Sequence, residues 1–144
     1  MIDPKHIGMR LAPFSVVPSA HQLRFFAKAT GEDNPVYFDE AAARDAGHRG
    51  LPLPPTFLFS LEFEQPATGW RDELGIDVSR ILHGEQQFSY HRLAYAGDTL
   101  RYESRIADIY ARKGGALQFV VRETRVTNQQ GEHVADLRSV IVQR

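Results

Sequence analysis

The sequence predicts an α+β fold, in which helices come first along the chain and an antiparallel sheet follows. Between residues 19 and 65, apolar residues recur at the spacing of amphipathic helices. From Arg80 onward the period changes to two, as in half-buried strands, and glycine-containing turns separate the apolar runs. Helices followed by a run of hairpin-connected strands are typical of α+β domains.

The first elements are a short strand over residues 14–18 and a helix that follows it. Ser19 and Gln22 have the spacing of a capping box, in which each side chain bonds the other residue's backbone amide. Gly31 then provides a left-handed helix stop. A second helix is predicted over residues 39–47, again between a capping residue and a glycine.

A third helix, over residues 57–65, is predicted to be buried at the centre of the fold. The prolines before it exclude a helix or central strand there, so Thr56 is the expected N-cap, and Pro66 ends the helix. Phenylalanine and leucine cover most of its circumference, which is the pattern of a buried helix. Residues 66–80, which include Trp70, are predicted to be a mobile connection.

The second half of the chain predicts a meander of antiparallel strands, giving a sheet of five to six strands. Gly114-Gly115 and residues 128–131 are the expected hairpin turns. The strands are recognised by apolar side chains at alternate positions, at Phe88 and Tyr90, Leu100 to Ile106, Leu117 to Val121, and Val134 to Val142.

Composition favours one folded domain over residues 1–144 and excludes several classes of function. The chain is 42% hydrophobic and 24% charged, and 17 basic against 18 acidic residues leave a net charge of −1. No block of like charge is present, so we expect no nucleic-acid or membrane partner. The absence of cysteine excludes disulfides, thiolate metal sites and a cysteine nucleophile. With no apolar secretory segment at residues 1–6, the expected location is cytoplasmic.

Three motifs in order suggest a family. Residues 31–37 (Gly-Glu-Asp-Asn-Pro-Val-Tyr) combine a helix stop, an acidic pair and an Asn-Pro turn, and His-Gly-Glu-Gln-Gln-Phe at 83–88 and Gly-Asp-Thr-Leu at 97–100 follow. Together they resemble the MaoC-like (R)-specific enoyl-CoA hydratase and 3-hydroxyacyl dehydratase family, closest to the N-terminal half, of FAS1-like dehydratase type, in its two-hot-dog members. The resemblance covers residues 8–144.

This resemblance implies a single hot-dog fold, an antiparallel sheet wrapped around the apolar helix over residues 57–65. It also implies a dimer, either with itself or with a second MaoC-like hot-dog chain, because such a sheet leaves an unpaired edge. The implied reaction interconverts trans-2-enoyl and (R)-3-hydroxyacyl thioesters of coenzyme A or acyl carrier protein, without a cofactor.

That reaction needs a base for water or the α-proton, a proton donor, and a backbone donor for the thioester enolate. Catalytic members carry Asp-x-Asn-Pro-x-His in the first motif, so Glu32 stands at the Asp position and Tyr37 at the His position. Glu32 adds a methylene, which moves the carboxylate by ~1.5 Å. Tyr37, with an ordinary pKa of about 10, is a poor proton shuttle at neutral pH.

The backbone donor for the thioester enolate is also altered. In the family, a glycine amide in a His-Gly-Met segment at the start of the central helix is the oxyanion donor. Here Pro54-Pro55-Thr56 stands in that place, and Pro55 has no N–H to donate. The Thr56 amide is the remaining candidate.

Four residues are candidate substrate contacts: Asn34, Thr56, His83 and Arg49. Asn34 is more typical of ordinary turn chemistry, and Tyr37 in the same loop is more typical of a packing residue. His83 either contacts the acyl chain or is a structural strand histidine, and Arg49 either binds coenzyme A phosphates or lies on the solvated surface. None of the six histidines shows ligand spacing, so no metal is predicted.

Three functions remain open. The chain is an enzyme that uses Glu32 as base and Tyr37 as donor, or it is a non-catalytic subunit that shapes the acyl tunnel of a hydratase/dehydratase assembly. The third is a hot-dog thioesterase, which shares the fold and the thioester ligand. We favour the subunit.

Overall fold

A computed structural model describes residues 1–144 and contains one five-stranded antiparallel sheet. The spatial order is β1-β3-β4-β5-β2, so β1 and β2 are the edge strands. The α+β architecture is as predicted, but only β3, β4 and β5 form a meander, because β2 pairs with β5 and not with β3. The strands are β1 (Phe14–Val16), β2 (Ile81–Tyr90), β3 (Leu100–Arg112), β4 (Leu117–Thr127) and β5 (His133–Gln143).

Helices lie between β1 and β2 along the chain. They are α1 (Ala20–Ala29), α2 (Glu40–Asp45), α3 (Phe57–Leu61) and α4 (Trp70–Glu73). Short 3₁₀ turns lie in the same stretch at Pro35–Tyr37, Glu62–Glu64 and Val78–Arg80, before β1 at Pro4–His6, and between β3 and β4 at Lys113–Gly115. The predicted capping box of α1 is formed: the Ser19 hydroxyl accepts from the Gln22 amide and the Gln22 side chain accepts from the Ser19 amide. None of the helices has the length and apolar character needed to cross a bilayer.

The helix α3 packs on one face of the sheet, as the hot-dog resemblance implies. Phe57, Leu58 and Leu61 are buried in a core that also contains apolar residues of α1 and of β3, β4 and β5. The fully buried Tyr102 of β3 donates its hydroxyl to the Leu58 carbonyl at 2.9 Å. This bond satisfies both polar groups inside the core and fixes α3 against the sheet.

The predicted helix over residues 57–65 was too long, and Thr56 stands at its N-cap position without capping it through its side chain. After Leu61 the chain tightens into a 3₁₀ turn, and Phe63 is 73% exposed. Only one side of α3 meets the sheet, so the all-round apolar pattern did not mean all-round burial. Thr56 has a left-handed backbone (φ 72°) and makes no side-chain cap, because an N-cap requires extended backbone angles.

The predicted mobile connection over residues 66–80 contains a second core instead. Trp70 and Leu74, spaced four apart around α4, are buried with Ile76. They pack with Ile2 and Leu11 from the start of the chain and with residues of β3 and β4. A segment that buries a tryptophan is held in place by that burial.

A buried ion pair joins the two cores. Glu62, directly after α3, pairs with Arg122 of β4, and both side chains are almost fully buried. The Arg122 guanidinium also lies 5.8 Å from the centre of the Trp70 ring. Sequence reasoning missed this pair, because a single glutamate in an apolar helix does not reveal its partner 60 residues away.

Replacing Arg122 with methionine should lower the free energy of unfolding by about 3–5 kcal/mol, because the buried Glu62 would lose its bonded ion-pair partner and keep only the neighbouring, half-buried Arg71 as a counter-charge. The double variant with Glu62→Met as well should recover most of that loss. Urea denaturation measures both.

Arg105→Met is the matched control, since Arg105 also pairs across strands, with Glu123 at 2.8 Å, but is 57% exposed. Its effect should stay below about 1 kcal/mol. Equal losses for the Arg105 and Arg122 variants would show that burial of the Glu62 pair has no special role.

Candidate functional site

The loop at residues 31–37 uses its polar side chains to hold its own backbone. The Glu32 carboxylate accepts from the amides of Asp33 and Asn34, both at 3.1 Å. The Asn34 side chain accepts from the Val36 amide at 3.2 Å and caps the 3₁₀ turn that ends at Tyr37. Asn34, a predicted substrate contact, is therefore exposed and engaged as a cap.

Tyr37 lines a cavity of about 400 Å³. The same cavity is lined by Pro54, Pro55 and Leu58 at the start of α3, and by Tyr90 and His91 at the end of β2. The structure thus brings together the His-equivalent position and the segment aligned with the oxyanion donor.

Burial raises the pKa of the Tyr37 hydroxyl above its ordinary value, and the nearby Glu32 carboxylate raises that pKa further. At neutral pH Tyr37 is therefore a hydroxyl that can donate a hydrogen bond. A group with this pKa does not exchange protons readily, which is the role that histidine performs.

The Thr56 amide, the candidate oxyanion donor that the sequence leaves, is already bonded. Thr56 donates its N–H to the Tyr90 hydroxyl at 2.9 Å. Tyr90 stacks on Phe88, with ring centres 5.7 Å apart. Sequence analysis placed Tyr90 in a strand without a role, because alternation gives the face of a strand residue but not its partner.

His83 lies on the other side of α3. It stacks on Phe59 with ring centres 4.8 Å apart, bonds Gln86 at 3.1 Å, and lines a separate cleft of about 120 Å³. This cleft shares no lining residue with the Tyr37 cavity. Gly84 beside it lies at a β-bulge, where an added Cβ would come within 2.7 Å of Val142.

Arg49 clamps two loops together. Its guanidinium bonds both oxygens of Asp98, at 2.6 and 2.7 Å, and lies 4.3 Å from the centre of the Tyr95 ring. Asp98 is 1% exposed and also accepts from the Tyr95 amide and the Gln129 side chain. Burial raises the pKa of Asp98, but the hydrogen bonds outweigh it, so the pKa lies below its usual value.

The predicted site residues therefore fall into three places. Glu32, Asn34 and Tyr37 share one loop. Thr56 bonds Tyr90, which lines the Tyr37 cavity. His83 and Arg49 lie apart from this cavity. Besides these, the side chains of His91, His133 and Asp136 converge at the ends of β2 and β5, with their ligand atoms within 4.8 Å of one another.

Comparison with known proteins places this fold and loop in context. A family model described as "FAS1-like, dehydratase domain region" matches residues 5–137. A UPF0336 protein of Streptomyces coelicolor is 39% identical over 134 residues, covering 92% of this chain and 87% of that protein.

Solved structures share the hot-dog architecture. The C-terminally truncated HadBC (3R-hydroxyacyl-ACP dehydratase) complex of Mycobacterium tuberculosis includes a chain that is 30% identical, with a TM-score of 0.80 and coverage of 95% of this chain and 96% of that one. The ChsH1–ChsH2 complex of the same organism includes a chain with 22% identity, a TM-score of 0.73 and coverage of 94% and 88%, which shows the shared fold.

Asp98 should stabilise the fold in a pH-dependent way. Because its folded pKa is lowered, its contribution is fully present above the unfolded value of about 3.9 and is lost as the pH falls through the folded pKa. Asp98→Asn should therefore be less stable than wild type at neutral pH, and the difference should shrink below about pH 4. Thermal denaturation across this range measures it, with the exposed Asp45→Asn as control. A difference that grows on acidification would contradict this role.

Proposed function

Since the chain belongs to the FAS1-like dehydratase domain family, we propose that it is the non-catalytic half of a two-hot-dog hydratase/dehydratase assembly. The assembly interconverts trans-2-enoyl and (R)-3-hydroxyacyl thioesters, carried by coenzyme A or acyl carrier protein. In this proposal a second MaoC-like chain carries the acid/base pair, and this chain completes the acyl-binding surface.

The observation that carries the proposal is the state of the Tyr37 cavity. Its proton-shuttle position holds a tyrosine whose pKa is raised, its oxyanion position holds Pro55, and the neighbouring Thr56 amide is bonded to Tyr90. Two of the three groups that the reaction requires, the proton donor and the oxyanion donor, are thus altered or occupied at one site. Their coincidence favours a subunit over an enzyme.

The outer edge of β2 supports pairing with a second chain. This ten-residue strand bonds only β5, so its other edge has free backbone donors and acceptors. Long unpaired edges favour strand addition. The HadBC dehydratase, whose matched chain is 30% identical, is itself named as a complex.

The cleft beside His83 suits an acyl chain. Its walls include Phe59, Phe63 and Leu82, and the last two are 73% and 48% exposed, which is costly for large apolar side chains in an isolated chain. Arg122 and Glu62 also line the cleft and form a polar wall. An acyl tail that enters from a partner's active site would cover the apolar part and stop at the charged part.

The runner-up is that this chain is itself the enzyme, with Glu32 as base and Tyr37 as proton donor. One observation favours this function: the Glu32 carboxylate raises the pKa of Tyr37, which lines the cavity, although Glu32 itself is not a lining residue. The two functions differ in what happens when these side chains are removed.

In the assembly with a catalytic partner, Tyr37→Phe and Glu32→Gln should leave kcat unchanged. If either residue were the acid or base, kcat would fall by at least ~10²-fold. Phe63→Asp should raise KM for long-chain enoyl thioesters but not for crotonyl-CoA, because only a long chain reaches the cleft. Loss of enoyl absorbance measures each rate, and hydration by this chain without a partner would overturn the subunit proposal.

Restoring the site in the isolated chain tests the alignment. Glu32→Asp with Tyr37→His recreates the acid/base pair but leaves no oxyanion donor, so activity should remain poor. Adding Pro55→Gly should raise it by about 10²–10³-fold, the range lost when one such donor is removed. Tyr90→Phe added to the double variant is the matched comparison, because it frees the Thr56 amide instead. If both the double and triple variants are folded but inactive, Pro55 does not occupy the donor position.

A further inference from the structure

Two histidines and an aspartate converge where β2 ends and β5 begins. His91 follows β2, and its backbone amide donates to the Val134 carbonyl at 2.9 Å, which brings it beside β5. His133 is the first residue of β5 and Asp136 is three residues further along. Sequence spacing did not reveal this group, because strand pairing joins residues more than 40 positions apart.

An irregularity in β5 places His133 and Asp136 on the same side. Residues three apart on a regular strand point to opposite faces. Here Val134 and Ala135, between them, are both buried, and the register with β4 shifts between Val126 and Thr127. The extra residue turns both polar side chains toward His91.

The ligand atoms are arranged for a single ion. The Nε2 atoms of His91 and His133 lie 2.9 and 2.8 Å from the two oxygens of Asp136, and the imidazole rings are 4.2 Å apart. Zinc bonds histidine nitrogen and carboxylate oxygen at about 2.0–2.2 Å. A small outward rotation of these side chains opens room for an ion between them.

We propose that His91, His133 and Asp136 form a binding site for a divalent transition-metal ion of the zinc class. Two imidazoles and one carboxylate are a ligand set for such ions, whereas magnesium and calcium prefer oxygen alone. Three protein ligands leave a coordination position for water or another ligand.

The surroundings set limits on the affinity. Arg125 lies opposite Asp136 in the sheet register. Arg92, next to His91, forms an ion pair at 3.5 Å with Glu132, next to His133. Burial raises the pKa of Asp136, but the bonds from both histidines outweigh it, so the carboxylate is ionised at neutral pH. Since the imidazoles must be deprotonated to bind metal, binding weakens as the pH falls.

Bound metal would fix one wall of the Tyr37 cavity. His91 lines that cavity, and the residues after it, Arg92 to Ala94, form the adjoining wall. An ion that joins His91 to β5 restrains this segment directly. The proposed role of the ion is therefore structural: it stabilises the rim of the cavity, whether or not the cavity is catalytic.

Equilibrium dialysis of untagged protein against micromolar Zn²⁺, with metal analysis, tests the site. Wild type should bind one equivalent, and its melting temperature should rise with zinc, because the ion binds the folded state. His91→Asn, His133→Asn and Asp136→Asn should each abolish both effects. Co²⁺ in place of Zn²⁺ should give a visible absorption band that the same variants lack.

His21→Asn is the control, since His21 is exposed on α1, away from the cluster, and should bind as wild type does. The three cluster side chains are 30–49% exposed, so the variants should fold, which circular dichroism of the metal-free proteins checks. Absence of binding by wild type, or binding that survives in any of the cluster variants, overturns the site.

Discussion

The packing of α3 against the sheet is the constraint on which the rest of the molecule depends. Its apolar side contributes Phe57, Leu58 and Leu61 to the main core, and Tyr102 bonds its backbone from the opposite layer. Because α3 has only five residues, it cannot hold itself together by its own hydrogen bonds. Tertiary contacts therefore define the helix, and the helix in turn separates the Tyr37 cavity from the His83 cleft.

The Glu62–Arg122 pair explains how so short a helix is fixed at its end. Taking both charges out of water is costly, and their attraction roughly offsets that cost, so the pair adds little net stability. The contribution of the pair is to fix the position of the chain that follows α3. The pair links the chain after α3 to β4 beside Trp70, between the two apolar cores, and any other register would leave a buried charge unpaired.

Local and periodic features were predictable from sequence, and long-range pairings were not. The Ser19–Gln22 capping box, the Asp39 cap of α2 and the alternating strands depend on near neighbours, and each formed as expected. The end of α3 and the burial of Trp70 depended on partners far along the chain. The motifs identified the family correctly and gathered Glu32, Asn34 and Tyr37 in one loop. They could not show that Tyr90 bonds Thr56, because that contact follows from the register of a strand.

The polar groups of the predicted site residues are mostly bonded within the structure. Glu32 and Asn34 bond amides of their own loop, Arg49 bonds Asp98, and Thr56 bonds Tyr90. An enzyme keeps such donors and acceptors available for a transition state, and that readiness costs stability because the groups are poorly satisfied without substrate. A subunit relieved of chemistry has no such cost and can satisfy each group internally. In the proposed non-catalytic role, the bonds that hold this loop also keep its polar groups engaged, so installing catalysis would require freeing a donor as well as supplying an acid and a base.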